Sequence, residues 1–417
     1  MGRIRDLAEG LWSGELDPAE HHPFAPLMDL EPVAPRTAFV SSFANATAFE
    51  TDAGLVLVDT GSFLLARQVH ETIRGWSPRP LHTAVFTHGH VDHVFGVGPF
   101  DEESATKGWR RPHVVAHRDL PARFDRYRKT AGWNACINAR QFRMPGLRWP
   151  TEYRYPDEVY HGTHGLDVGG LRLELVHARG ETDDHTWLWI PERKVLCTGD
   201  LFIWATPNAG NPQKVQRYPH DWSLALRAMQ TLDAELMLPG HGYPIRGAAR
   251  IRQALGETAE VLEYLHDTTL DMMNAGASLE EIVHAVQPPK HLLERPYLQP
   301  VYDEPEFVVR NVWRLYGGWW DGNPAHLKPA SESAIGAELA RLAGGADRLA
   351  ARALELAAKG ELALACNLVE LAARGAPSDA EIRKARAKIY RQRARAERSV
   401  MARGVFDAAA GPDKDDG

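Results

Sequence analysis

A chain of 417 residues is longer than one typical hydrophobic core and points to two or more domains. Its 44% hydrophobic and 25% charged residues are ordinary for a globular chain, and a net charge of −7 gives no general attraction to nucleic acid or anionic membranes. Residues 1–6 lack a signal-peptide core, no apolar run approaches membrane-spanning length, and three scattered cysteines make no disulfide framework: a cytoplasmic protein without membrane insertion is expected.

Residues 1–35, with scattered Pro and His, read as an irregular arm. Apolar, β-branched runs at 38–43, 46–51 and 55–58 read as strands, the last ending at Asp59-Thr60-Gly61. A helical period follows over 63–76, and a strand over 81–87 leads into Phe86-Thr87-His88-Gly89-His90-Val91-Asp92-His93. His88, His90, Asp92 and His93 put four metal-ligand side chains within six residues, just where a strand gives way to a loop. His88 and His90 alternate in extended chain and point the same way. Asp92 and His93 are adjacent and must diverge, which suits two metals rather than one.

Residues 114–117 read as another strand. The weakly periodic stretch 118–156 is rich in Arg and aromatics and reads as a cap over a cleft, with Asn138 and Arg140 as pocket residues, or else as a surface insertion. A strand over 171–176 opens into a loop holding His177, Glu181 and His185. A second, over 195–199, ends in Gly199-Asp200, and a third, over 236–238, runs into Pro239-Gly240-His241. The intervening loop 204–218 carries Asn208, Asn211, Lys214 and Arg217. The planar fork of an arginine suits a pair of sulfate or phosphate oxygens.

The motif His88-x-His90-x-Asp92-His93 resembles the signature of the metallo-β-lactamase-fold hydrolases. The resemblance implies an αββα sandwich and two metals per chain, usually two Zn2+, although iron and manganese fit similar ligands. Most of that superfamily has His where this chain has Glu181; the alkylsulfatase-like branch carries Glu there, with His185 or His177 as the alternative ligand. The better-known alkylsulfatases have Glu where this chain has Asp200, which resembles the broader superfamily. The match implies His88, His90 and Glu181 on one metal, Asp92, His93 and His241 on the other, and Asp200 between them. Asp59 would support the metal loop or merely cap a helix. Asp92, His185 and Arg217 take catalytic roles by this resemblance, His185 by orienting a ligand or acting on the leaving group. Asn138, Arg140, Asn208, Asn211, Lys214 and Arg217 take substrate-binding ones.

Beyond a helix over 248–275, the run Tyr316-Gly-Gly-Trp-Trp-Asp-Gly-Asn-Pro324 resembles the alkylsulfatase dimerisation region and implies a homodimer; an aromatic turn buried within one subunit is the alternative. Residues 331–406 are Ala/Leu/Arg/Glu-rich, with Gly360, Ala365, Ala372 and Pro377 placed as in a tetratricopeptide-like hairpin. The basic helix 383–398 reads as a solvated face rather than a nucleic-acid surface. The expected domains are an arm (1–35), a catalytic domain (36–250), a helical dimerisation region (251–330), a helical C-terminal region (331–407) and a disordered tail (408–417). The expected function is zinc-dependent hydrolysis of a small anionic ester, foremost an alkyl sulfate. The alternatives are a phosphoester, lactone or thioester substrate, or a dimeric scaffold with structural metals only.

Overall fold

The computed structural model describes residues 2–411. The expected disordered tail therefore falls outside the described residues from 412 onward, while its first residues close the helix Val400–Ala410. Two compact units emerge. One runs up to Ala131 and resumes at Trp149–Gly318; the other joins Gly132–Arg148 to the chain from Trp319 onward.

The first unit is built on two sheets. The first has seven strands in sequence order: β1 (Asp29–Ala34), β2 (Thr37–Ser41), β3 (Ala46–Thr51), β4 (Gly54–Val58), β5 (Leu81–Val85), β6 (His113–His117) and β7 (Glu158–Tyr160). β1 to β4 form an antiparallel meander, and β4 to β7 run parallel. The second sheet takes β8 (Thr163–Val168), β9 (Leu171–His177), β10 (Thr186–Ile190), β11 (Val195–Gly199), β12 (Leu236–Pro239) and β13 (Ile245–Arg246), in the order β13-β12-β11-β10-β9-β8.

Side chains alternate across a strand, so each face of β4 serves a different layer. Val56 and Val58 join Leu173, Leu175 and Leu188 in the core between the sheets. Leu55 and Leu57 pack beneath the helices Ala66–Trp76 and Val97–Lys107, against Val69, Ile73, Val97 and Phe100. β10 and β11 are buried at every position and apolar at most, as expected of strands covered on both faces. Their outer layer is the pair of helices Pro219–Gln230 and Ala248–Asn274, which add Trp222, Leu226, Ile251 and Leu262 to the core. Each such side chain contributes about 1.5–3 kcal/mol by leaving water. The expected αββα sandwich is present.

Three expectations change. Residues 3–13 form a helix with Ile4, Ala8 and Leu11 buried, and β1 is a sheet strand, so 1–35 is not an irregular arm. The stretch 118–156 holds two helices, Leu120–Lys129 and Ala131–Phe142. No structural break falls near residue 250, because Ala248–Asn274 packs into the sandwich and its unit continues to Gly318.

In the second unit the helices Glu332–Ala343, Ala346–Ala358, Leu362–Gly375, Ala380–Ala396 and Val400–Ala410 follow one another. Ala353, Leu356, Ala365, Val369, Ala372, Ile382 and Ile389 form its core, small residues allowing close helix approach. In Ala380–Ala396 Ile382, Ala385, Ile389 and Ala394 are buried; Arg383, Lys384, Lys388 and Arg395 lie on the solvated flank, while half-buried Arg386 reaches Glu370 and the Ala409 carbonyl and Arg393 pairs with Glu397. Trp319 and Trp320 are 72% and 38% exposed, which goes against the alternative of an aromatic turn buried in one subunit. Among the described residues no helix is long and apolar enough to cross a membrane.

Candidate metal centre

Parallel strands deliver their carboxyl ends to one edge of the sandwich. β4 ends at Asp59, β5 at the Thr87–His93 loop, β11 at Asp200 and β12 at His241. There His88, His90, Glu181 and Asp200 form one group of ligand-type atoms within 4.8 Å of one another, and Asp92, His93 and His241 form a second. Asp200 links the two. Its Oδ2 lies 3.7 Å from His88 Nε2 and 3.3 Å from His241 Nε2, and its Oδ1 lies 3.4 Å from His93 Nε2. All seven residues proposed from the sequence as metal ligands are thus brought together. Gly240 is required beside them, because a Cβ there would collide with Asp200 Oδ1.

Each imidazole is aimed by what holds its other nitrogen. His93 Nδ1 lies 2.7 Å from Asp59 Oδ2, which also accepts from Thr87 Oγ1 at 2.8 Å. The other Asp59 oxygen accepts from the Thr87 N–H at 2.8 Å. Thr87 Oγ1 lies 3.0 Å from His88 Nδ1, and the Phe43 carbonyl 2.5 Å from His241 Nδ1. Such partners fix the tautomer and turn the Nε2 lone pairs of His88, His93 and His241 to the centre. Asp59 therefore serves the loop rather than a helix cap.

The donor set fits a divalent cation. His93 Nε2, Glu181 Oε2 and Asp200 Oδ1 are buried without a hydrogen-bond partner. A buried polar atom left so costs about 1–3 kcal/mol, and such atoms in both ligand groups fit a site for cations. The charge balance agrees. Burial alone would lower His93 and His241, but Asp200, with Asp59 and Asp92 for the former, raises His93 well above its ordinary value and His241 to about 10. Burial would raise Asp200, yet His241 and His93 hold it well below the carboxylate range. His88 and His90 are held well below the usual imidazole value, first by burial and then by cationic neighbours, and are neutral as ligation requires.

Glu181 sits on the loop between β9 and β10. Its Oε1 accepts from Asn208 Nδ2 and from Arg217 Nη1, which also reaches the Asn208 carbonyl at 2.5 Å. Burial pushes the Glu181 carboxyl up while Arg217 pulls it down. The expectation that Arg217 grips substrate is altered: this guanidinium is buried and engaged with Glu181. His185 does not face the cluster as a ligand, because its Nε2 accepts from the Asp200 N–H at 3.0 Å. His177 lies against the His185 carbonyl at 3.0 Å and stacks on His117. Glu181, rather than either histidine, reaches the centre.

Half-buried Lys214 stands 5.4 Å from the ring centroid of Trp149, and burial, then Arg217, holds its amine down to about 7. Trp149 in turn packs on Tyr127, 5.5 Å away, and Tyr127 lies 6.5 Å from His90. Asn211 is structural within its loop, its Oδ1 accepting from Gln213 N at 3.1 Å. Asn138 and Arg140 belong to the helical unit, where Asn138 Nδ2 donates to the Asn134 carbonyl at 2.8 Å. Sequence reasoning missed Asp303, which is fully buried and accepts from Gly210 N at 2.6 Å and Asn211 N at 3.1 Å. Asn311 Nδ2 likewise donates to the Arg217 carbonyl at 3.0 Å. Both shape the loop that carries Asn208 and Arg217.

Facing sheets whose strand ends gather histidines and carboxylates around a divalent-metal site define a metallo-β-lactamase-fold protein. The sequence relationship agrees: a profile for the metallo-beta-lactamase superfamily matches residues 41–241, and one for alkyl sulfatase dimerisation matches 278–414. The chain thus carries a metallo-beta-lactamase domain followed by an alkyl sulfatase dimerisation region. It is 28% identical over 363 residues to a linear primary-alkylsulfatase of Pseudomonas sp. (strain ATCC 19151), covering 82% of this chain and 69% of the relative. An (R)-specific secondary-alkylsulfatase of Pseudomonas sp. is 27% identical, covering 73% of this chain and 50% of the relative. The solved structure of the sec-alkylsulfatase Pisa1 from Pseudomonas sp. shares the fold with a TM-score of 0.82, at 24% identity, covering 92% of this chain and 65% of that one.

Proposed function

We propose that the protein is a two-metal hydrolase, using zinc, that cleaves sulfate monoesters of alkyl alcohols and works as a homodimer. The observation that carries this is the placement of Asp200 between two ligand groups, with Glu181 on one side and His93 and His241 on the other. His88, His90 and Glu181 would hold one ion, Asp92, His93 and His241 the other, and Asp200 both. When bound, such ions stabilise charge developing on ester oxygens and make hydroxide available from water at neutral pH. Asp59, Thr87 and the Phe43 carbonyl keep the imidazoles aimed. Arg217 and Asn208 keep Glu181 in place and act through it.

The substrate class follows from the wall beside His90. Half-buried Trp149, backed by buried Tyr127, offers an aromatic wall, and the Lys214 amine lies over the Trp149 ring. An apolar tail with one negative charge matches that surface. A phosphate monoester, carrying nearly two charges, would need more cation than one lysine whose ammonium burial disfavours. The primary- and secondary-alkylsulfatase relatives support the same class. The dimerisation match and exposed Trp319 and Trp320 support self-association.

Metal-loaded protein should be assayed on alkyl sulfates of increasing length beside phosphoesters, lactones and thioesters. Burial at about 0.8 kcal/mol per methylene predicts that kcat/KM rises about fourfold per carbon over the first several carbons. Elemental analysis should give two metals per chain. Faster turnover of lactones or phosphoesters by orders of magnitude would sink the sulfatase assignment.

A further inference from the structure

Residues 181–185 serve three parts of the centre at once. Glu181 reaches the ligand cluster, His185 accepts from the Asp200 N–H at 3.0 Å, and Asp184 accepts from the Gly89 N–H at 2.8 Å. Gly89 lies between His88 and His90, so this last bond fixes the peptide that sets the spacing of the two imidazoles. The other Asp184 oxygen accepts from Arg123 Nε at 2.7 Å, and Arg123 Nη2 grips Asp183 as well. Arg123 is 3% exposed and Asp184 is wholly buried. A buried ion pair is expensive to desolvate and is often no more stable than apolar residues of the same volume. Here the pair holds one backbone N–H in one place. The packing leaves no slack, because a Cβ on Gly89 would stand 2.8 Å from Arg123 Cδ and 3.2 Å from Asp184 Oδ2.

We propose that Asp184, aimed by Arg123, is a positioning residue for the half of the centre formed by His88, His90 and Glu181. This rests on the two-metal function given above. Asp184 ties the loop after β5 to the loop that carries Glu181, so the three side chains keep a common focus. Its hydrogen bonds run to Gly89 and Arg123, on the His88 and His90 side, so its influence is selective for that half.

The test is metal affinity rather than turnover. Full-length protein stripped by a chelator is titrated with zinc, and with cobalt for its visible spectrum, against a competing chelator. Partners behind metal ligands typically contribute 10–100-fold in affinity, so D184N should weaken one of the two binding steps by about that factor and leave the other within about threefold. R123K keeps the charge of the buried pair but loses the two-point grip, and should weaken the same step by several-fold. Circular dichroism of the metal-free proteins reports folding; should D184N not fold, R123K decides alone. Variants that bind both metals like wild type, or that weaken both steps equally, overturn the clamp. Wild-type protein that takes up no metal overturns the two-metal function itself, and the clamp with it.

Discussion

Replacing Arg217 by methionine removes a buried charge while keeping most of the side-chain volume. Arg217 is 2% exposed and Glu181 3%, and the arginine bonds both Glu181 and the Asn208 carbonyl. Without it, Glu181 Oε1 keeps only the Asn208 amide. Breaking a buried pair from one side costs about 3–5 kcal/mol, because an uncompensated charge is left behind. Burial already raises the Glu181 carboxyl above its ordinary 4.5, and R217M removes the pull that opposes this. The folded state then binds a proton that the unfolded state has lost, so stability falls as pH rises from 4.5 through the folded value. Metal-free R217M should therefore be more stable at pH 6 than at pH 8. Loading with zinc should return most of the loss, since a cation beside Glu181 replaces the missing charge. Urea unfolding followed by tryptophan fluorescence, with and without metal at both pH values, measures each quantity. A loss under about 1 kcal/mol, the scale of a surface pair, or an equal loss in all four conditions, would refute a buried Arg217–Glu181 partnership.

Three further outcomes are expected. E181A should lose one metal and nearly all activity, while H185A should keep both metals and turn over more slowly, as elemental analysis beside kinetics will tell. D303N weakens the charge-assisted bonds to Gly210 and Asn211, each worth about 1.5–3 kcal/mol, so the 206–218 loop should become a protease-sensitive segment and kcat/KM should fall. His117, held down to about 4 chiefly by burial and then by His177, stays neutral in the fold while the unfolded chain protonates below 6.5. Wild-type stability should thus decline between pH 6.5 and about 4, by up to about 3 kcal/mol, and H117F should flatten that decline in thermal scans.

What sequence could reveal depended on whether a signal was local. The strand leading to His88 and the alternation of His88 with His90 are local; β5 forms as expected, and His88 and His90 fall in one group of ligand-type side chains. The helix Leu120–Lys129 was hidden because its buried face is Leu120, Arg123, Phe124 and Tyr127, a regular helical stripe with an arginine inside it. Counting apolar residues alone loses that period. Ile4, Ala8 and Leu11 did carry a readable stripe, yet scattered prolines and histidines later in the arm obscured it. The direction of Arg217 was not legible, since its partner Glu181 lies 36 positions away and only folding brings them together. Asp303 was silent for the same reason, 93 positions from the Gly210 N–H it holds.

The segment 278–318 matches the dimerisation profile but folds with the sandwich, and from there Asp303 and Asn311 hold the loop of Asn208 and Arg217. The natural crossover point for building chimeras is therefore not where the two sequence profiles part. A hybrid joined between residues 241 and 278 would inherit Glu181 and Arg217 from one parent and the braces of their loop from another. One joined after Gly318 would transfer the sandwich with its braces intact, but residues 132–148, which complete the helical unit, would have to be exchanged together with the helices from Glu332 onward.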